Sequence, residues 1–251
     1  MDREQGDEPS APPSAGAGLV LGAHWGFLAF FLGFGGYQLA ALIMTAALSG
    51  RVNEFDPLEL PEVGPLLLLA FVPNLLLGLA PALAARLWGP GFKATFRLLP
   101  TLRDLKVGLA CGGFALLAGY LLNLLLLGVY GTDQLDDNPL TGLSEGLGDG
   151  TVWLVLAAVI VVAAAPLTEE LLVRGALWNA LAHYRVPGWV ILILTSVIFA
   201  QLHGEPARTV ALLAQGAAIG FARLTTGGVA APLVAHAANN LPAALTLFAG
   251  G

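Results

Sequence analysis

From about residue 20 onward the chain is a series of apolar runs, several at or above the ~20 residues that cross a hydrocarbon core. They cover about 20–48, 64–88, 107–130, 151–183, 188–203, 208–224 and 228–249. A soluble core is a poor alternative. Only 11% of the residues are charged, where soluble domains carry about 25%, and the mean hydropathy is +0.78. The expected fold class is therefore all-α: a polytopic transmembrane helical bundle of about seven or eight membrane helices. The run 151–183 is expected to be interrupted at Pro166.

Charge gives this bundle an orientation. Residues 1–18 are acidic and rich in Pro, Ser and Gly, as in a disordered tail, and lack the basic start of a signal peptide. The segment 86–106 carries Arg86, Lys93, Arg97, Arg103 and Lys106. The segment 131–150 has no base, but has Asp133, Asp136, Asp137, Glu145 and Asp149. The positive-inside rule puts 86–106 in the cytoplasm, together with the N-terminus and the turns near Arg185 and Arg223, and puts 131–150 outside. A multi-pass protein of the cell membrane is expected. Trp88, Phe92 and Phe96 among the cations suggest a stretch lying along the interface. The net charge of −6 is local to the tail and the acidic loop, so nothing points to nucleic acid. The single cysteine, Cys111, excludes an internal disulfide and reads as a small buried apolar residue.

Against this background the last third is unusual. A charged side chain at the centre of a bilayer costs about 2.5–3.5 kcal/mol on insertion scales. The spans nevertheless contain Glu169-Glu170-Leu171-Leu172-Val173-Arg174, Phe199-Ala200-Gln201-Leu202-His203 and His236-Ala237-Ala238-Asn239-Asn240. Adjacent helical residues point about 100° apart, so Glu169 and Glu170 serve different directions. Glu170 and Arg174 are four apart and can pair. Glu169 is left without a local partner, which marks it as the reactive group. Glu169 precedes Arg185 by 16 residues and His203 follows Pro187 by 16. At ~1.5 Å per residue both lie roughly 24 Å from that turn, so a hairpin sets them at one level. Phe199, one turn before His203, is placed to pack on the imidazole or line the pocket. His236 and Asn240 share a helix face; Asn240 comes near the same level and His236 is shallower. Asn239 points off that face and reads as interhelical glue. His24 reads as an interfacial or satisfied histidine, and His183 as a helix-end cation.

These groups suffice for hydrolysis of a peptide bond by water. Glu169, helped by His203, would hold and deprotonate the water, and His236 with Asn240 would donate to the oxyanion. The chain has no G-x-S-x-G and no H-E-x-x-H, and every aspartate lies in a tail or loop. On this reading 151–250 is a catalytic transmembrane core and 19–150 supplies further transmembrane helices.

E-E-x-x-x-R, F-x-x-x-H and H-x-x-x-N, in this order on separate spans, resemble the CAAX protease and bacteriocin-processing family, also called Abi, which includes type II CAAX prenyl endopeptidases. Pro166 before the glutamates and Gly175 after the arginine are similar as well. The resemblance covers roughly 150–250. It implies a glutamate-dependent intramembrane protease with Glu169 as base, His203 positioning the water and His236 and Asn240 stabilising the oxyanion. Glu170 and Arg174 would support them. It also implies a protein or peptide substrate within the bilayer: a prenylated C-terminal tail, a leader peptide or a membrane anchor. No cofactor is expected. A zinc-dependent protease of the same family is the alternative, and would require Glu169, His203 and His236 to converge. Two other classes stand against the protease, a proton-coupled transporter and a catalytically silent scaffold.

Overall fold

The computed structural model describes residues 18–52, 63–131 and 151–248. The acidic tail, apart from Gly18, and the acidic loop 131–150, apart from Gly131, lie outside the described residues. The chain is an all-α membrane bundle. Its helices are α1 (Trp25–Val52), α2 (Val63–Leu87), α3 (Phe92–Phe96), α4 (Leu102–Tyr130), α5 (Thr151–His183), α6 (Gly188–His203), α7 (Thr209–Thr226) and α8 (Ala230–Thr246). The stretches Trp25–Ala47, Leu102–Gly128 and Thr151–His183 are long and apolar enough to cross a membrane; Phe71–Leu87 and Gly188–His203 are shorter apolar helices.

Two starts differ from expectation. The first run does not enter its helix until Trp25, because Leu19–Val20 and Ala23–His24 pair as a small antiparallel hairpin, β1 and β2. Leu21 and Gly22 both take positive φ in the turn between them, as tight hairpins require. The third run starts early. Thr101 and Asp104 form a reciprocal capping box, which satisfies the first free N–H groups of α4. Asp104 therefore sits in a helical first turn rather than in a loop.

α5 lies at the centre, with α1 and α2 on its 165–177 portion and α8 against 160–170; α4 packs on α7 and α8, and α6 on α7. Small residues permit this closeness. Gly108 and Gly112 of α4 are one turn apart, and a Cβ on Gly112 would lie 2.6 Å from the Ala235 carbonyl oxygen.

Pro166 does not interrupt α5. The helix runs through it, with wide π-type turns at Ile160–Ala164 and Leu171–Leu177. Proline has no N–H, and its ring collides with the carbonyl four residues back in a regular helix. Here the Ala165 N–H reaches five residues back to Ile160 O, so the helix widens just before the proline. Wide turns free carbonyls, and side chains from other helices claim them. Asn240 Nδ2 donates to Val161 O at 3.0 Å and Arg223 Nε to Arg174 O at 3.0 Å.

The basic segment is not simply interfacial. Trp88 and Phe92 are partly exposed, but Phe96 is fully buried. Its ring lies under Gly175, where a Cβ would come within 2.5 Å of Phe96 Cε1. Gly175→Ala should therefore lower stability by about 1–3 kcal/mol through overpacking, read as the midpoint of thermal unfolding in detergent; an unchanged midpoint would contradict the packing described.

One end of the bundle gathers the hairpin, the basic segment and two turns. Val229 N–H donates to Phe96 O at 2.8 Å, Arg103 Nη2 to Thr225 O at 2.9 Å and His24 N–H to the Tyr184 hydroxyl at 3.1 Å. The His24 and His183 rings are 4.9 Å apart. Burial, and then the neighbouring His183, push His24 down to about 4 from 6.5. The unfolded chain thus takes up a proton near 6.5 that the folded His24 refuses. Its contribution to stability is intact above about 6.5 and is lost as pH falls toward about 4. A pH series of unfolding midpoints should be flatter over that window in His24→Phe than in the parent protein.

Candidate functional site

Glu169 leaves α5 toward α1, α2 and the end of α6. There it lines a cavity of about 150 Å³ together with Tyr37, Asn74, Leu77, Leu202 and His203. Glu169 and His203 thus share one chamber, at the level their distance from the 184–187 turn requires. Glu169 Oε2 is buried without a hydrogen-bond partner among the described residues. His203 is the last residue of α6, which stops at Gly204 in a left-handed conformation. Its Nδ1 is 2.8 Å from Phe199 O. A carbonyl oxygen only accepts, so Nδ1 carries the proton, and in the neutral ring Nε2 keeps its lone pair. That arrangement fixes the tautomer a general base requires.

Glu170, 100° round the helix, points into a different, buried cluster. Its Oε1 accepts from Arg174 Nη1 at 2.8 Å and from His236 Nδ1 at 2.9 Å. Arg174 Nη2 donates to Gly216 O at 2.9 Å. Glu170 and Arg174 are completely buried and His236 nearly so. Such a pair is costly to desolvate, and its hydrogen bonds offset that cost only while every member is present. The Phe199 ring joins the two regions: its centroid is 4.6 Å from the His203 ring, 5.3 Å from the His236 ring and 4.7 Å from the Arg174 guanidinium carbon.

The expected constellation is therefore divided. Glu169 and His203 meet in the cavity, while His236 is engaged by Glu170. Asn240 donates to Val161 O and accepts from Asn239 Nδ2 at 3.1 Å. Asn240 keeps a second amide N–H, and His236 keeps Nε2. Among the described residues no group of three His, Cys, Asp or Glu side chains is placed to hold a metal ion.

Three contributors escaped the sequence reading. Tyr37 and Asn74 come from helices that carry no motif. The one signal for Asn74 was a lone amide in the apolar run Phe71-Val72-Pro73-Asn74-Leu75. Arg223 holds the carbonyl of Arg174 and also donates through Nη2 to Asn179 Oδ1 at 2.9 Å; its position near a span end read only as a topological signal.

No curated protein and no solved structure matches the chain significantly. A family model does. Residues 151–242, which hold Glu169, Glu170, Arg174, Phe199, His203, His236 and Asn240, match the Rce1-like family, described as type II CAAX prenyl endopeptidase Rce1-like.

Proposed function

We propose that the protein is an intramembrane endopeptidase that cleaves a peptide bond in a membrane-anchored protein by a water activated between Glu169 and His203. The Rce1-like match implies a membrane protease with membrane-anchored substrates. The observation that carries the chemistry is the cavity shared by His203 and Glu169, whose Oε2 is buried without a hydrogen-bond partner among the described residues. Water held there gives one proton to Glu169 as its oxygen attacks the scissile carbonyl carbon. The resulting oxyanion is held by hydrogen-bond donors, to which Asn240 brings its second amide N–H and His236 the side of its ring away from Glu170. Collapse of the tetrahedral intermediate breaks the C–N bond, and the stored proton passes to the leaving amine. Glu170, Arg174 and Phe199 keep the helices in register. The setting is the cell membrane, with the N-terminus and the basic segment on the cytoplasmic side.

The test is cleavage by the purified full-length protein in liposomes. A farnesylated peptide with a C-terminal CAAX sequence and its unprenylated twin are incubated, and the products are read by mass spectrometry. Release of the C-terminal tripeptide from the farnesylated peptide is the expected result. Absence of cleavage of both peptides, together with proton-gradient-driven flux, would replace the protease with a carrier.

A further inference from the structure

The polar wall opposite Glu169 comes from α1 and α2, outside the matched segment. Tyr37 and Asn74 line the same chamber as Glu169 and His203. A chamber of about 150 Å³ has room for a water and a peptide group. A scissile amide held there within reach of Glu169 shares the chamber with these two side chains.

Their chemistry is specific. A phenol and a primary amide are the uncharged donors of the cavity; its other walls are the Glu169 carboxylate, His203, Leu77 and Leu202. By contrast, His236 already gives Nδ1–H to Glu170, and Asn240 gives one N–H to Val161 O. Polar side chains are also costly at this depth unless they are used. Neither α1 nor α2 carries Asp, Glu, Lys or Arg between Trp25 and Ala85 among the residues whose side chains are described.

Resting on the protease reading above, we infer that Tyr37 and Asn74 are catalytic residues that donate hydrogen bonds to the scissile carbonyl oxygen as it becomes an oxyanion. The active site is then assembled from both halves of the chain. The N-terminal helices add oxyanion donors to those of the matched segment, which also supplies the base that activates the water.

The test compares Asn74→Leu and Tyr37→Phe, both close in shape to the parent, with Glu169→Gln and with Tyr120→Phe on the exposed face of α4. Cleavage of the farnesylated peptide is read as kcat and KM separately. Each donor variant should lose about 100-fold in kcat, the loss typical of one oxyanion donor, with KM changed less than threefold and the unfolding midpoint retained. Tyr120→Phe should match the parent. Loss in KM alone, or full kcat in both donor variants beside an inactive Glu169→Gln, overturns the inference and leaves the protease reading intact. Parental activity in Glu169→Gln overturns that reading instead. A second readout requires no turnover. The infrared carboxyl band of Glu169, identified by its disappearance in Glu169→Gln, should shift in both donor variants because they face the same chamber. An unmoved band also overturns the inference.

Discussion

Glu169→Gln should abolish cleavage, with a loss of at least about 10³-fold in kcat, at the strong end of what a positioned general base contributes. Glutamine keeps the size and much of the polarity of the side chain but cannot take a proton from water. Glu169 Oε2 is buried without a hydrogen-bond partner among the described residues, so the substitution breaks no hydrogen bond at that oxygen. The unfolding midpoint should therefore stay within error of the parent while activity disappears. Glu170→Gln gives the opposite pattern. Its carboxylate binds Arg174 and His236 together, so stability falls along with activity. The contrast between two adjacent glutamates is read from parallel activity and unfolding measurements. Equal behaviour of the two would contradict the division of labour described here.

Arg174→Met should be the most destabilising single change, at about 3–5 kcal/mol. Methionine fills most of the volume, but Glu170 is then a fully buried carboxylate without its cation, and Gly216 O loses its donor. Exchanging both members in Glu170→Leu/Arg174→Met removes the stranded charge and should recover part of the loss, because apolar replacement of a buried pair is often tolerated. Midpoints of thermal unfolding in detergent measure both. A single variant as stable as the parent would mean that the cluster contributes nothing to the fold.

The sequence made some of this legible for physical reasons. Charge inside hydrocarbon is conspicuous, so Glu169, Glu170, Arg174, His203 and His236 stood out, and helical spacing was enough to pair Glu170 with Arg174 and to bring Glu169 level with His203. The all-α bundle followed from run length alone. Other features depend on contacts between distant segments. Nothing local to Asn240 says that a wide turn will offer it the carbonyl of Val161, 79 residues earlier. Pro166 looked like a break because periodicity cannot show a helix widening by one residue. Phe96 looked interfacial because its burial depends on Gly175. Tyr37 and Asn74 are single polar residues in apolar runs, with no spacing to mark them.

The most direct test of the central claim, that Glu169 and His203 act on one water, is a double-mutant cycle on kcat with Glu169→Gln, His203→Gln and the double variant, using the farnesylated peptide. Residues that act as a unit are strongly non-additive. The account predicts that the double variant is no slower than the worse single one. Losses that multiply would mean that the two side chains contribute independently, and would contradict the shared-water site.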